Sequence, residues 1–133
     1  MNVARKITKT GLYGAAVLAL VSALAGCGLF QRSAEAENKG GPTLIAGLRQ
    51  YEEGQYAESA RMLQSAIDQG LAERDRIAAY KHLAFIHCAE GRERQCRYQF
   101  RKALAIDPRM ELAPAEAGHP VWGPLFRALK SGR

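Results

Sequence analysis

Between Tyr80 and Pro108 two helical patterns flank a single glycine, and this stretch constrains the chain more than any other. Tyr80, Leu83, Ala84 and His87 recur at steps of three and four, and so do Cys96, Phe100, Ala103 and Leu104. Each set draws one apolar stripe along one face of a helix. Gly91 can take the left-handed backbone that ends the first helix. Pro108 ends the second, because it disfavours a helical residue before it and cannot continue the hydrogen-bond ladder. The spacing therefore predicts two helices folded back on one another.

A second pair of stripes precedes this one. Leu44, Gly47, Leu48 and Tyr51 form the first, Gly54 turns the chain, and Tyr56, Ser59, Ala60, Leu63, Ala66 and Ile67 form the second. Gly70 takes the place of the closing proline as a C-terminal glycine. The turn glycines Gly54 and Gly91 are 37 residues apart.

Together these positions resemble the tetratricopeptide repeat, a helix–turn–helix unit of about 34 residues. In the second unit Tyr80 stands at the large first-helix anchor, Leu83-Ala84 at the Leu-Gly place and His87 at the usual tyrosine. Cys96 stands at the small contact, Phe100 at the second-helix aromatic and Ala103 at the last small contact. Ala for Gly, His for Tyr and Cys for Ala are mild departures. The resemblance implies an all-α fold with repeats near 40–73 and 77–110. The spacing exceeds one repeat length by three, so the junction around Leu71–Arg76 is expected to be slightly extended.

After Pro108, Pro114, Gly118 and Pro120 exclude a long helix until the chain reaches Trp122. Trp122, Leu125, Phe126 and Leu129 then share one face of a final helix near 120–130. Two repeats leave open ends, and such stacks usually need about three units plus a cap. The last helix is the natural cap; the other use for its aromatic face is a partner.

The first 26 residues read as a secretory signal: Arg5, Lys6 and Lys9, then an apolar run of 13 residues from Leu12 to Leu24, then small residues. That run is short for a bilayer span. Leu24-Ala25-Gly26-Cys27 resembles the bacterial lipobox, which implies cleavage before Cys27 and lipidation of that cysteine. Removing Arg5, Lys6 and Lys9 from 19 basic residues leaves 16 against 13 acidic ones, a net charge of +3. So weak a balance gives no reason to expect nucleic acid as a partner. Residues 27–41 carry few large apolar groups and read as a lipidated tether, with the folded domain at 42–133. Gly28 to Gly41, fully extended, reaches about 50 Å. Gly28, standing where lipoproteins retained at the inner membrane carry aspartate, implies the periplasmic face of the outer membrane.

Lipidation of Cys27 leaves Cys88 and Cys96 as an even pair in an oxidising compartment. The resemblance puts Cys96 where the two helices come closest, with Cys88 in the last turn of the helix before it. A Cys88–Cys96 disulfide is expected; two buried free thiols are the alternative.

Side chains suited to chemistry are few. His82 and His87 are about 140° apart around a helix, and a zinc site from His82, His87, Cys88 and Cys96 would need distorted geometry and would compete with the disulfide. No nucleophile elbow or phosphate-binding loop occurs in the sequence. Neither an enzyme nor a cofactor is expected. Arg94, Arg97 and Arg101 share a helix face, which reads either as a basic patch for acidic proteins, anionic headgroups or peptidoglycan carboxylates, or as a solvated surface. By the repeat resemblance a partner-binding groove would be lined by Leu44, Leu48, Tyr51, Lys81 and Phe85, with Glu52, Ala78, Cys88 and Ala89 beside them. That lining suits an amphipathic segment, supplied either by a partner or by the chain's own last helix or tether.

The run from Leu83 to Pro108, followed by Leu112, Glu116, His119-Pro120 and Trp122-Gly123-Pro124, is similar to the small repeat lipoproteins associated with type VI secretion systems, the TssQ family. The resemblance implies a lipid-anchored scaffold that binds a protein of the envelope or of the secretion apparatus. The alternative is a pilotin-like or general outer-membrane assembly factor. Oligomeric state is open on either reading.

Overall fold

The computed structural model describes residues 38–132. The expected signal peptide, Cys27, Gly28 and most of the expected tether lie outside these residues. The described chain is all-α: α1 (Gly41–Glu52), α2 (Tyr56–Gln69), α3 (Glu73–Ala89), α4 (Glu93–Ile106), the single-turn α5 (Pro114–Ala117) and α6 (Trp122–Lys130). No helix among the described residues is long and apolar enough to cross a membrane.

The first four helices form two hairpins, α1 with α2 and α3 with α4, whose turns match residue for residue. Gln55 N–H donates to the Gln50 carbonyl at 2.8 Å, and Arg92 N–H to the His87 carbonyl at 2.8 Å. Gly54 and Gly91, at φ 75° and 73°, hold the left-handed residue each turn needs. With the turns aligned, Ser59 corresponds to Cys96, Leu63 to Phe100 and Ala66 to Ala103, and all six are fully buried. Small residues at the first of these positions let the helices of each hairpin approach closely. In the first, the buried Ser59 hydroxyl donates to the Gly47 carbonyl at 2.8 Å. In the second, Cys96 is disulfide-bonded to Cys88 with Cα atoms 5.1 Å apart.

The expected single stripe on α3 is corrected. Ala79, Leu83 and Ile86 pack with Leu44, Leu63 and Ala66 of the first hairpin and with Leu71 of the junction. Ala84, Phe85 and Cys88 face the other way, toward Cys96, Phe100 and the C-terminal segment. Tyr80 and His87, read as stripe residues, are only partly buried. The helix is sandwiched between two packing partners, so no single face carries its buried side chains. The extra length between the turns lies mostly in α3 itself, which runs 17 residues against 12 in α1, and the junction is only Gly70-Leu71-Ala72.

The expected tether boundary at residue 41 is also corrected. Asn38 already belongs to the domain. Its amide donates to Asp75 Oδ2 at 3.0 Å and its Oδ1 accepts from the Ala72 N–H at 3.3 Å. Gly40 N–H donates to the Gly70 carbonyl at 2.8 Å, and a Cβ on Gly40 would overlap the Ala66 carbonyl.

After α4 the chain runs through the buried Met110 and Leu112 into α5 and α6. Helix α6 packs on α4, with Phe126 edge-on to Phe100 at 5.1 Å. The face expected to carry Trp122, Leu125 and Phe126 is buried against the second hairpin.

Candidate partner-binding surface

The residues expected to line a groove are placed unequally. Phe85 is 2% exposed and stacks on Trp122, ring centroids 4.6 Å apart. Lys81 Nζ pairs with Glu116 Oε1 at 2.7 Å and stands 5.7 Å from the Phe85 ring centre. Leu44 is buried in the first-hairpin core. The second half of the expected groove is thus filled by the chain's own residues 116–122, and Leu44 and Phe85 are corrected from lining residues to core residues. The cause is apolar burial in a short stack: among the described residues no third hairpin follows, and Phe85 is covered by the segment after α4 instead.

What stays open is a row of rings at the edge of this filled region. Tyr51 contacts Tyr56 at 5.4 Å, His82 at 5.1 Å and Phe85 at 6.4 Å. Tyr56, expected in the buried stripe of α2, is exposed instead. Leu48 is half-buried and Ile45, one turn away on α1, is 70% exposed. Burial pushes the Tyr51 hydroxyl pKa up, and the neighbouring Tyr56 and Glu116 add to the effect. Burial likewise holds the His82 imidazole below its usual range, although its Nδ1–H donates to the Ala78 carbonyl at 2.7 Å.

Glu116, which no sequence motif singles out as a site, ties this region together. One carboxylate oxygen meets Lys81, the other accepts from the Ala113 N–H at 2.9 Å, and its carbonyl accepts from Trp122 Nε1–H at 2.9 Å. Burial alone would raise its pKa; Lys81 and the Ala113 N–H outweigh burial and bring it below the usual carboxylate value. His119 lies flat on Trp122, ring centres 3.3 Å apart, and its Nδ1 accepts from the Val121 N–H at 3.2 Å. The signal for Glu116 in the sequence was its place three residues after Ala113, just inside a proline-started turn.

An open cleft of about 430 Å³ lies where the ends of α3 and α4 meet α6, lined by Cys88, Glu93, Arg97, Val121, Pro124 and Leu125. With Cys88 and Cys96 bonded to each other, neither thiol is free for a metal. The expected arginine face divides: Arg97 pairs with Glu93 at 2.9 Å, while Arg94 and Arg101 are exposed and have no ion-pair partner among the described residues. Tyr98, 54% exposed, stands among them. Its spacing of four from Arg94 and three from Arg101 would have placed it on that face.

Compared with family models, curated proteins and solved structures, the chain matches none of them.

Proposed function

We propose that this chain is a lipid-anchored scaffold of a Gram-negative envelope, held at the periplasmic face of the outer membrane through Cys27. Its two hairpins are tetratricopeptide-type units that bind a protein partner rather than carry out catalysis. The narrower reading is an accessory lipoprotein of a type VI secretion system.

The observation that carries this reading is the Cys88–Cys96 bond that joins α3 to α4. Structural disulfides persist in oxidising compartments and are rare in the cytosol, which agrees with an export signal ending in a lipobox. The matched turns and matched small contacts of the two hairpins support the repeat reading. The half-open row of Ile45, Leu48, Tyr51 and Tyr56 supplies the exposed aromatic and aliphatic groups that protein interfaces concentrate at their centres.

Photo-crosslinking from Ile45 and Tyr56 in the native envelope, with the adducts identified by mass spectrometry, tests this. Adducts to secretion-apparatus proteins support the narrow reading. Adducts to unrelated outer-membrane proteins favour an assembly factor. Adducts from control positions on α6 alone would remove the row from the interface.

A further inference from the structure

The charges of the described domain are divided unevenly along the chain. Residues 38–90 carry six Lys and Arg against seven Asp and Glu, whereas residues 91–132 carry eight against four. Much of the excess lies on α4. Arg94, Tyr98, Arg101 and Lys102 follow one another at steps of four, three and one, and all four are exposed. Arg94, Arg101 and Lys102 have no carboxylate within ion-pairing distance among the described residues, and Lys102 Nζ stands 5.5 Å from the Tyr98 ring centre. Glu93, on the same helix, is taken by Arg97. The opposite side of α4 is buried through Cys96, Phe100 and Ala103, so the helix is fixed with its cations outward.

We infer that this outer face of α4 docks on an anionic phospholipid surface. The inference rests on the lipid-anchor reading above, because a chain tethered through Cys27 meets headgroups at high local concentration. The chemistry of the face fits. Cations near an anionic bilayer surface each strengthen binding about fivefold, and a tyrosine with its ring among them suits the headgroup level. The face has no exposed aliphatic side chain larger than alanine, which argues against an apolar protein surface as its occupant.

The test uses the processed chain purified from its envelope, mixed with phosphatidylcholine vesicles with or without phosphatidylglycerol. Lys102 and Lys39 are acetylated side by side and read by peptide mass spectrometry. Lys102 is expected to be protected relative to Lys39 only on vesicles that contain phosphatidylglycerol, and to lose that protection at high salt. The Arg94→Gln/Arg101→Gln variant, with Lys102 retained, should weaken docking about 25-fold at unchanged helicity. Equal labelling on both vesicle types overturns the proposal. So does protection without vesicles, which assigns the face to a second copy, and protection that requires added polyglutamate, which assigns it to an acidic protein. Intact mass reports separately on Cys27. If the cysteine is unmodified, the anchor reading fails, while flotation of the soluble chain with phosphatidylglycerol vesicles still reads the face.

Discussion

Trp122 covers Phe85. The two rings stack at 4.6 Å and 30°, joining a helix near the C-terminus to the middle of α3. Through Phe85 the contact continues to Phe100 at 5.8 Å, and from there to Phe126. The C-terminal helix is therefore part of the second hairpin's core, and four rings share its burial.

Trp122→Ala is expected to cost about 3–5 kcal/mol, the range for emptying a buried aromatic site. For a domain of this size that lowers the Tm by at least about 10 °C. Phe85→Ala should act the same way, as a core deletion. Trp122→Phe keeps a ring on Phe85 but loses the bond to the Glu116 carbonyl, part of the stack on His119 and some buried volume, so a smaller drop of about 1–3 kcal/mol is expected. Thermal melting followed by circular dichroism ranks the three. A Phe85→Ala variant that melts like the parent would put that residue back on an open surface.

Reduction of Cys88–Cys96 should destabilise the domain by about 2–3 kcal/mol, from the chain entropy of a short closed loop. The sulfurs join residues eight apart. Alkylation of the denatured but unreduced protein, followed by peptide mass mapping, should recover the linked peptide. Two freely alkylated thiols would contradict it.

Acid should weaken the domain in two stages. His82 and His87 are held below their usual pKa chiefly by burial, with Arg92 also acting on His87. The unfolded chain then takes up these protons first, so stability is full above about pH 6.5 and falls as the pH drops below it. Glu116 is also held below its usual value, so its contribution is present above the ordinary carboxylate range and is lost as the pH falls through the folded value. Glu116→Gln should cost about 1–2 kcal/mol near neutrality and flatten the second stage, while deepening the first somewhat, because the Glu116 carboxylate favours the charged form of His82. Urea unfolding across the pH range checks both, and a midpoint independent of pH would refute the assignment.

Gln99 is buried with its Oε1 unpaired among the described residues. Gln99→Met is expected to leave the fold intact and to raise stability by about 1 kcal/mol, because it removes an unpaired buried acceptor. A loss of stability in the denaturant midpoint would mean that the amide has a partner worth keeping.

Local chemistry was legible in the sequence wherever one residue suffices to decide the backbone. Gly54 and Gly91 announced the two turns, Pro108, Pro114 and Pro120 broke up the segment after α4, and steps of three and four gave α2, α4 and α6 their buried faces. These signals depend on period and on backbone freedom, which each segment carries within itself. What covers what was not local. Periodicity marks Phe85 and Leu44 as apolar but does not say whether solvent, a partner or Trp122 will meet them. Asn38 reads as a linker residue until Asp75 and Ala72 come within reach of its amide. Gly40 looks like flexibility until the Ala66 carbonyl is packed against it. The sequence by itself determined the five longer helices and their turns, and left Cys88–Cys96 as an expected pair with two free thiols as the alternative. Only the tertiary structure decided that the C-terminal segment fills half of the expected groove and leaves Tyr51 half-buried and Tyr56 and the outer face of α4 exposed, because burial is a property of neighbours brought together across the chain.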